Sequence, residues 1–295
     1  MTTTGVCFFA YNNEQIDYVK LAMYAAAKVK KHLNQPVCLI TDDGTFSWLK
    51  QSQGMDVIKK YIDDVVITED EMKSNVRVHN DSPWTEYRAQ FSNSNKHKVF
   101  EYTPYDKTLL LDIDYIVKSD FLNHCWERYN GVSMFDNSLY LDNNPAHPTE
   151  KWLFKYGIKM WWSTVVYFDK SEVSKMFFDL WSHVADNYAF YQQMYNFPGK
   201  IFRTDYCVSI AAHILNGMQD GDAIENFSGF PLHNMSQKDD IAKVLDDNTW
   251  LMLVNNRKEP WKNIVSIHED SDLHVMNKRA LGRTIAEVGN QYGIN

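Results

Sequence analysis

The sequence predicts an α/β fold: a mixed, mostly parallel sheet flanked by helices, in one domain of 295 residues with a C-terminal elaboration. Three observations lead there. Short apolar runs alternate with helix-period segments over the first ~115 residues, which is the signature of βαβ units. Polar and acidic residues gather just past the ends of those runs, where parallel sheets bind ligands. Only 8 Pro and 12 Gly occur, too few to mark a linker, and no repeat or low-complexity tract divides the chain.

The elements follow in order. "GVCFFAY", Gly5 to Tyr11, reads as a buried strand. In the next segment Ile16, Val19, Met23, Ala26, Val29 and Leu33 recur at spacings of three and four, one face of a helix. Asn12 and Gln15 form a capping-box signal, and Lys28, Lys30 and Lys31 sit near the helix end, where the dipole favours cations. "PVCLITDD" and "DVVITED" read as the second and third strands. Thr85 to Tyr102 reads as a polar helix, and "DKTLLLDIDYIVKSD", Asp106 to Asp120, carries the fourth strand. Asn130–Asn137 and Ile158–Ser171 read as two more strands, followed by helices over roughly Glu172–Tyr195 and Arg203–Gly217, with Gly217 as the C-cap. "WLMLV" and "IVSIH" are late strands, and Asn277–Val288 is a closing helix.

The formal net charge of −8 argues against broad nonspecific nucleic-acid binding and leaves room for a local basic groove. Cys7, Cys38, Cys125 and Cys207 have no metal-ligand spacing and read as small buried hydrophobes in a reducing compartment. "MTTTGVCFFAYNNE" lacks the basic start of a signal peptide. No run of ~18 apolar residues forms a membrane span. The expectation is a soluble, cytoplasmic protein.

The fourth strand poses the chemical question. Leu109 to Leu111 end in Asp112 and Asp114. Asp is depleted in strands, and two adjacent carboxylates repel unless a cation intervenes. At a strand end both can reach one ion. Mg²⁺ or Mn²⁺, held by one or two carboxylates, would neutralise a diphosphate and the charge of a departing phosphate.

With these residues in view the sequence resembles the GT-A-fold nucleotide-sugar glycosyltransferases, whose DxD motif binds a metal and the nucleotide diphosphate. "YDKTLLLDIDYIV" is close to that family's strand plus DxD, and "FFAYNNEQIDYVKLAMYAAAKVKKH…PVCLITDD" looks like its first strand, helix and second strand. The resemblance covers residues 5–217 and implies a nucleotide-binding half, 1–120, and an acceptor-binding half with C-terminal closure, 121–295. It implies a UDP-sugar or similar donor and a divalent metal. Ala10 and Tyr11 would lie along base and ribose, Asp42 would face the nucleoside, and Arg88 and Lys98 would lie near the donor. Asp112 would contact ribose or sugar, and Asp114 would ligate the metal. A later His would complete the metal shell: His274 in "LHVMNK" is preferred over His268 in "SIHED". The overall look, with its late "HVMNKRAL", is similar to phage-encoded glycosyltransferases. This makes hydroxymethylcytosine in phage DNA a candidate acceptor, and the host cytoplasm the location.

Other constellations bear on the acceptor side. Of Trp161 and Trp162, neighbours on a strand, one faces the core and the other is free to stack on a sugar or base. Trp162 and Ser163 fall on the strand that borders the acceptor in the resembled family. Asp205, at a helix start, is either a first-turn acid favoured by the dipole or an acceptor-hydroxyl base. Glu269 and Asp270 are the alternative base pair. From Asn255 to Arg283 six basic residues face four acidic ones, a segment suited to diphosphate or a nucleic-acid backbone. Two other classes compete. A haloacid-dehalogenase-like phosphohydrolase also begins with an apolar strand and Asp-x-Asp, but that pattern wants Thr or Val where Ile116 stands. The third class is a binding module that kept the fold without turnover.

Overall fold

The computed structural model describes residues 2–69, 75–91, 95–142, 151–153, 157–197, 201–256, 258–259 and 261–294. The chain runs β1 (Thr4–Phe9), α1 (Tyr18–His32), β2 (Val37–Thr41), α2 (Asp43–Gln53), α3 (Met55–Tyr61) and β3 (Asp64–Ile67). A hairpin of β4 (Asn75–Asn80) and β5 (Glu86–Phe91) and a short α4 (Val99–Tyr102) precede β6 (Lys107–Leu111) and β7 (Tyr115–Ile116). Then come α5 (Cys125–Arg128), β8 (Val132–Phe135), β9 (Ser138–Tyr140), β10 (Trp162–Asp169), α6 (Glu172–Asp186), α7 (Tyr188–Tyr195) and α8 (Thr204–Leu215). The chain closes with β11 (Ile224–Asn226), β12 (Leu232–Met235), β13 (Asp240–Val244), β14 (Trp250–Asn255), β15 (Asn263–His268), β16 (Leu273–Val275) and α9 (Lys278–Val288).

The main sheet has seven strands in the order β11-β8-β10-β6-β1-β2-β3. It is mixed and mostly parallel, with only β10 antiparallel to its neighbours β6 and β8. From β1 the chain moves outward through β2 and β3, then returns to the other side of β1 at β6. The strand order therefore reverses between β1 and β6, which opens a crevice beyond their carboxyl ends. Leu109, Leu110 and Leu111 anchor β6 there and are essentially fully buried, each contributing roughly 1.5–3 kcal/mol.

Helix α1 departs from the expected one-sided pattern, because it is buried from Tyr18 to Val29 on nearly every face. Ala22, Ala25, Ala26 and Ala27 let it lie close between the sheet and α9. Its cap is Asp17, whose side chain accepts from the Lys20 N–H, rather than Asn12. Asn12 still serves the first turn, accepting from the Val19 N–H at 2.9 Å and donating to Asp17. At the basic end Lys28, Lys31 and His32 converge on Asp247, and Lys30 pairs with Asp63.

The polar helix expected over Thr85–Tyr102 is corrected to strand β5 and a separate short α4, with residues 92–94 outside the described set. Tyr87 and Ala89 alternate with Glu86, Arg88 and Gln90, a period of two in which Tyr87 and Ala89 lie opposite His79 and Arg77 of β4. The long helix over Glu172–Tyr195 is two helices meeting at Asn187. All four cysteines are buried free thiols. Among the described residues no helix is long and apolar enough to cross a membrane.

A second sheet, β7-β16-β12-β9, stands beside the crevice, and β13-β14-β15 forms a third. The second sheet matters most for the site. β16 pairs antiparallel with β7, the two residues that directly follow Asp114, so His274 lies opposite Tyr115. The Val275 N–H donates to the Asp114 carbonyl at 2.7 Å.

Candidate functional site

The crevice between β1 and β6 is a cleft of about 720 Å³, within the ~300–1,000 Å³ usual for small-molecule sites. Asp112, Asp114 and His274 meet at its base. Each offers one ligand atom, and these atoms all lie within 4.8 Å of one another, so one cation at ~2.0–2.6 Å can reach all three. Two carboxylates and an imidazole are a donor set that can hold a divalent cation, with water completing the shell. His274 is prepared for this role. Its Nδ1 donates to Asn234 Oδ1 at 2.9 Å, which turns Nε2 toward Asp114 Oδ2, 3.7 Å away. His268 lies elsewhere, bonded to Lys118 and Ser271.

Two lysines balance the carboxylates: Lys96 pairs with Asp112, and Lys278 with Asp114 at 2.5 Å. Their effects differ. Burial opposes charge on Asp114, but Lys278 and His274 outweigh it and hold the carboxyl far below its ordinary range. At Asp112 burial wins and, with the Asp114 charge beside it, pushes the carboxyl up against the pull of Lys96. His79 also lines the cleft; burial, Lys278 and Arg77 push it down to about 4, so its imidazole is neutral at pH 7.

The expected site residues divide into two groups. Tyr11, Asp112, Asp114, Trp162, Ser163, Asp205 and His274 line the cleft. Ala10, Asp42, Arg88 and Lys98 do not. Ala10 is buried, its carbonyl taking a hydrogen bond from Thr41 Oγ1. Asp42 is the N-cap of α2, and its carboxylate is used by the N–H and hydroxyl of Thr45 at 2.7 Å each. Arg88 is exposed on β5, because that segment is a strand and not a helix. Lys98 lies two residues past Lys96, the lysine that reaches Asp112. Glu269 and Asp270 are exposed and outside the cleft lining.

Asp205 is anchored firmly. Its Oδ1 accepts from the Ser163 N–H at 3.0 Å and from Ser163 Oγ at 2.9 Å, and its Oδ2 accepts from Arg203 at 3.2 Å. Burial opposes ionisation, yet Arg203 and the Ser163 donors together hold its pKa below the usual carboxylate value. The basic segment is mostly spent within the molecule. Lys262 pairs with Glu259, Arg283 with Asp81 and Asp240, Arg279 stacks on Tyr87, and only Lys278 lines the cleft; Arg257 lies outside the described residues.

Sequence reasoning placed Lys278 only within a basic segment, and it missed Lys96, Tyr18 and the β4–β5 hairpin, which brings Arg77, Val78, His79 and Gln90 to the cleft. A usable signal existed for Lys278, four residues after His274 and at the start of α9 behind the Asn277 cap. Tyr18 gives no such signal. Its hydroxyl is buried with no hydrogen-bond partner among the described residues, as is the Trp162 indole N–H.

No protein-family model matches the sequence, and no curated protein matches it. Solved structures do resemble it. The glycosyltransferase GlyE of Streptococcus pneumoniae TIGR4 aligns at 13% identity over 77% of this chain and 45% of its own, with a TM-score of 0.41. This chain thus spans less than half the length of GlyE. A galactosyltransferase LgtC structure with donor and acceptor sugar analogues aligns at 14% identity over 75% of this chain and 72% of its own, TM-score 0.46. Mouse xyloside xylosyltransferase 1 aligns at 11% identity over 77% and 85%, TM-score 0.45. At these values the likeness is one of outline, and what the cleft can do follows from its own residues.

Proposed function

We propose that the chain is a metal-dependent glycosyltransferase that moves a hexosyl or pentosyl group from a nucleotide-diphosphate sugar, with UDP the first nucleotide to test, to a hydroxyl acceptor. The observation that carries this reading is the Asp112–Asp114–His274 group at the switch point of the sheet, in a cleft that also holds lysines and aromatic rings. A divalent cation bound there would neutralise the diphosphate and the charge of the leaving nucleotide. The protein's own groups do the rest. Asn234 fixes the His274 tautomer, and Lys96 and Lys278 keep the carboxylates compensated while offering cationic donors where phosphate oxygens would lie. Tyr11 supplies a ring at the end of β1 for the base, and Trp162 a ring on the opposite wall for the sugar.

Asp205 belongs to the acceptor or donor-sugar side in this reading. Its depressed basicity and engaged oxygens fit a carboxylate that orients a sugar hydroxyl better than one that must take up a proton. A phosphomonoesterase reading is weaker, because a cleft of about 720 Å³ far exceeds what a simple phosphate ester needs. A DNA acceptor draws no support from the basic segment, whose cations are mostly paired internally.

Thermal unfolding with UDP, GDP, CDP, ADP and dTDP, each with and without Mn²⁺, tests the proposal. One nucleotide at ~100 times its Kd stabilises by about 2.7 kcal/mol, a shift of several degrees. The expected result is a metal-dependent shift with one nucleotide that Asp114→Asn removes. No shift with any nucleotide would overturn the reading.

A further inference from the structure

The residue before Trp162 opens onto a different cavity. Trp161 lies just before the start of β10. While Trp162 lines the main cleft, Trp161 lines a separate cleft of about 310 Å³, a volume at the low end for small-ligand sites. Trp161 forms its floor, covered by the Lys159 ammonium 4.7 Å from the ring centre. Trp152 supplies the open ring: it lines the same cavity and is 46% exposed. The polar side of the cleft comes from His213 on α8 and from the loop after that helix, through Gln219, Asp220 and Asp222.

That loop has a defined shape. Gly217 and Met218 both take positive φ, 73° and 64°, and for Met this is an uncommon and costly conformation. Asn216 staples the loop, its Oδ1 accepting from the Ala223 N–H and its Nδ2 donating to the Ala212 carbonyl, each at 3.0 Å. Gly221 has no room for a side chain, because a Cβ there would lie 2.4 Å from Asn216 Oδ1.

A cavity lined both by an exposed indole and by carboxylate and amide groups matches a pyranose, which has apolar C–H faces and a rim of hydroxyls. Charge narrows the choice. Asp220 and Asp222 make the rim acidic, and the cavity's one lysine, Lys159, is held by Asp136 at 2.5 Å. Uronic and sialic acids would meet repulsion there.

We propose that this second cleft binds a neutral saccharide unit, with Trp152 stacked on one pyranose face and Gln219, Asp220 and Asp222 hydrogen-bonded to its hydroxyls. The site stands on its own lining and does not depend on what the main cleft transfers. It is linked to that cleft through β10 and α8. The Trp161 N–H donates to Ser209 Oγ at 2.8 Å, and Ser209 Oγ donates to the Asp205 carbonyl at 2.6 Å.

The test is calorimetric titration with lactose, maltotriose, cellotriose and N,N′,N″-triacetylchitotriose, with trigalacturonate as the anionic control. It is run on the intact chain and on Trp152→Ala, Asp222→Ala and Asp114→Asn. Trp152 and Asp222 are both exposed, so these two variants probe the site without disturbing the core. At least one neutral sugar should bind, weakened about tenfold or more by Trp152→Ala and by Asp222→Ala and unchanged by Asp114→Asn. Trigalacturonate should not bind. Absence of binding by all four neutral sugars, retention of binding in both cleft variants, equal binding of trigalacturonate, or loss in Asp114→Asn alone would overturn the proposal.

Discussion

Two buried aspartates flank the same short stretch of paired strand, and their surroundings are opposite. Asp114, just before β7, is met by the cation of Lys278 and the ring of His274. Asp272, just before β16, accepts its hydrogen bonds among the described residues from neutral donors: the N–H groups of Lys118 and Ser119, the Ser119 hydroxyl and the Tyr115 hydroxyl. The first carboxyl is driven far down by its partners despite burial. For the second, burial prevails over four hydrogen bonds and raises it. A carboxylate among N–H and O–H groups works as a staple between strands. One among cations is a charge held ready for another charge. The two settings lie at opposite ends of one short strand pair, although the two aspartates are far apart in sequence.

The comparison breaks most visibly at Asp114. Asp114→Asn should reduce metal-dependent nucleotide binding and transfer by ~100-fold or more, beyond the ~10–100-fold typical for a supporting partner. Asp272→Asn should leave the metal-dependent shift in place. A variant at Asp272 that abolished the shift while still folded would show that both aspartates serve the ligand.

Stability should move the other way. Asp272→Ala strands four donors in a buried setting and should cost about 3–5 kcal/mol, read as a lower midpoint in urea with an unchanged slope. A loss under about 1 kcal/mol would mean that water replaces the carboxylate easily.

The same cluster sharpens the comparison through pH. His268 is pushed down to about 3 by burial, then by Lys118 and His233. Its unfolded value is near 6.5, so between these values the unfolded chain binds the extra proton. This contribution to stability is complete above pH ~6.5 and is lost as pH falls toward 3. Urea midpoints measured from pH 7 to 4 should fall, and His268→Gln should flatten the slope.

The smallest effect is expected at Tyr18, whose buried hydroxyl has no hydrogen-bond partner among the described residues. Tyr18→Phe should change stability by less than about 1 kcal/mol. If the hydroxyl meets the donor, the same variant weakens nucleotide binding measurably. An unchanged thermal shift would limit Tyr18 to lining the wall.

Much of the fold was legible because it rests on local patterns. The runs around Phe8, Leu39 and Leu110 are buried strands of the main sheet, and the spacing from Val19 to Val29 marks α1. The β4–β5 hairpin was not legible, because a polar surface strand carries too little hydrophobic contrast to show its period. In the site, Asp112 and Asp114 could be read from an apolar run that ends in acids. The choice of His274 over His268 could not, because it depends on which late strand pairs with β7. Lys96 against Lys98 turned on where a short helix begins, a boundary the sequence leaves loose by a few residues.

The pairing of β16 with β7 also sets a schedule. Lys278 reaches Asp114 across 164 positions of chain. A nascent polypeptide that has emerged as far as β14 already carries both carboxylates but has neither the imidazole nor this lysine. In the proposed reading the set of metal ligands and compensating lysines is therefore complete only once the last strand and helix have docked, because contacts so distant in sequence are slow to form.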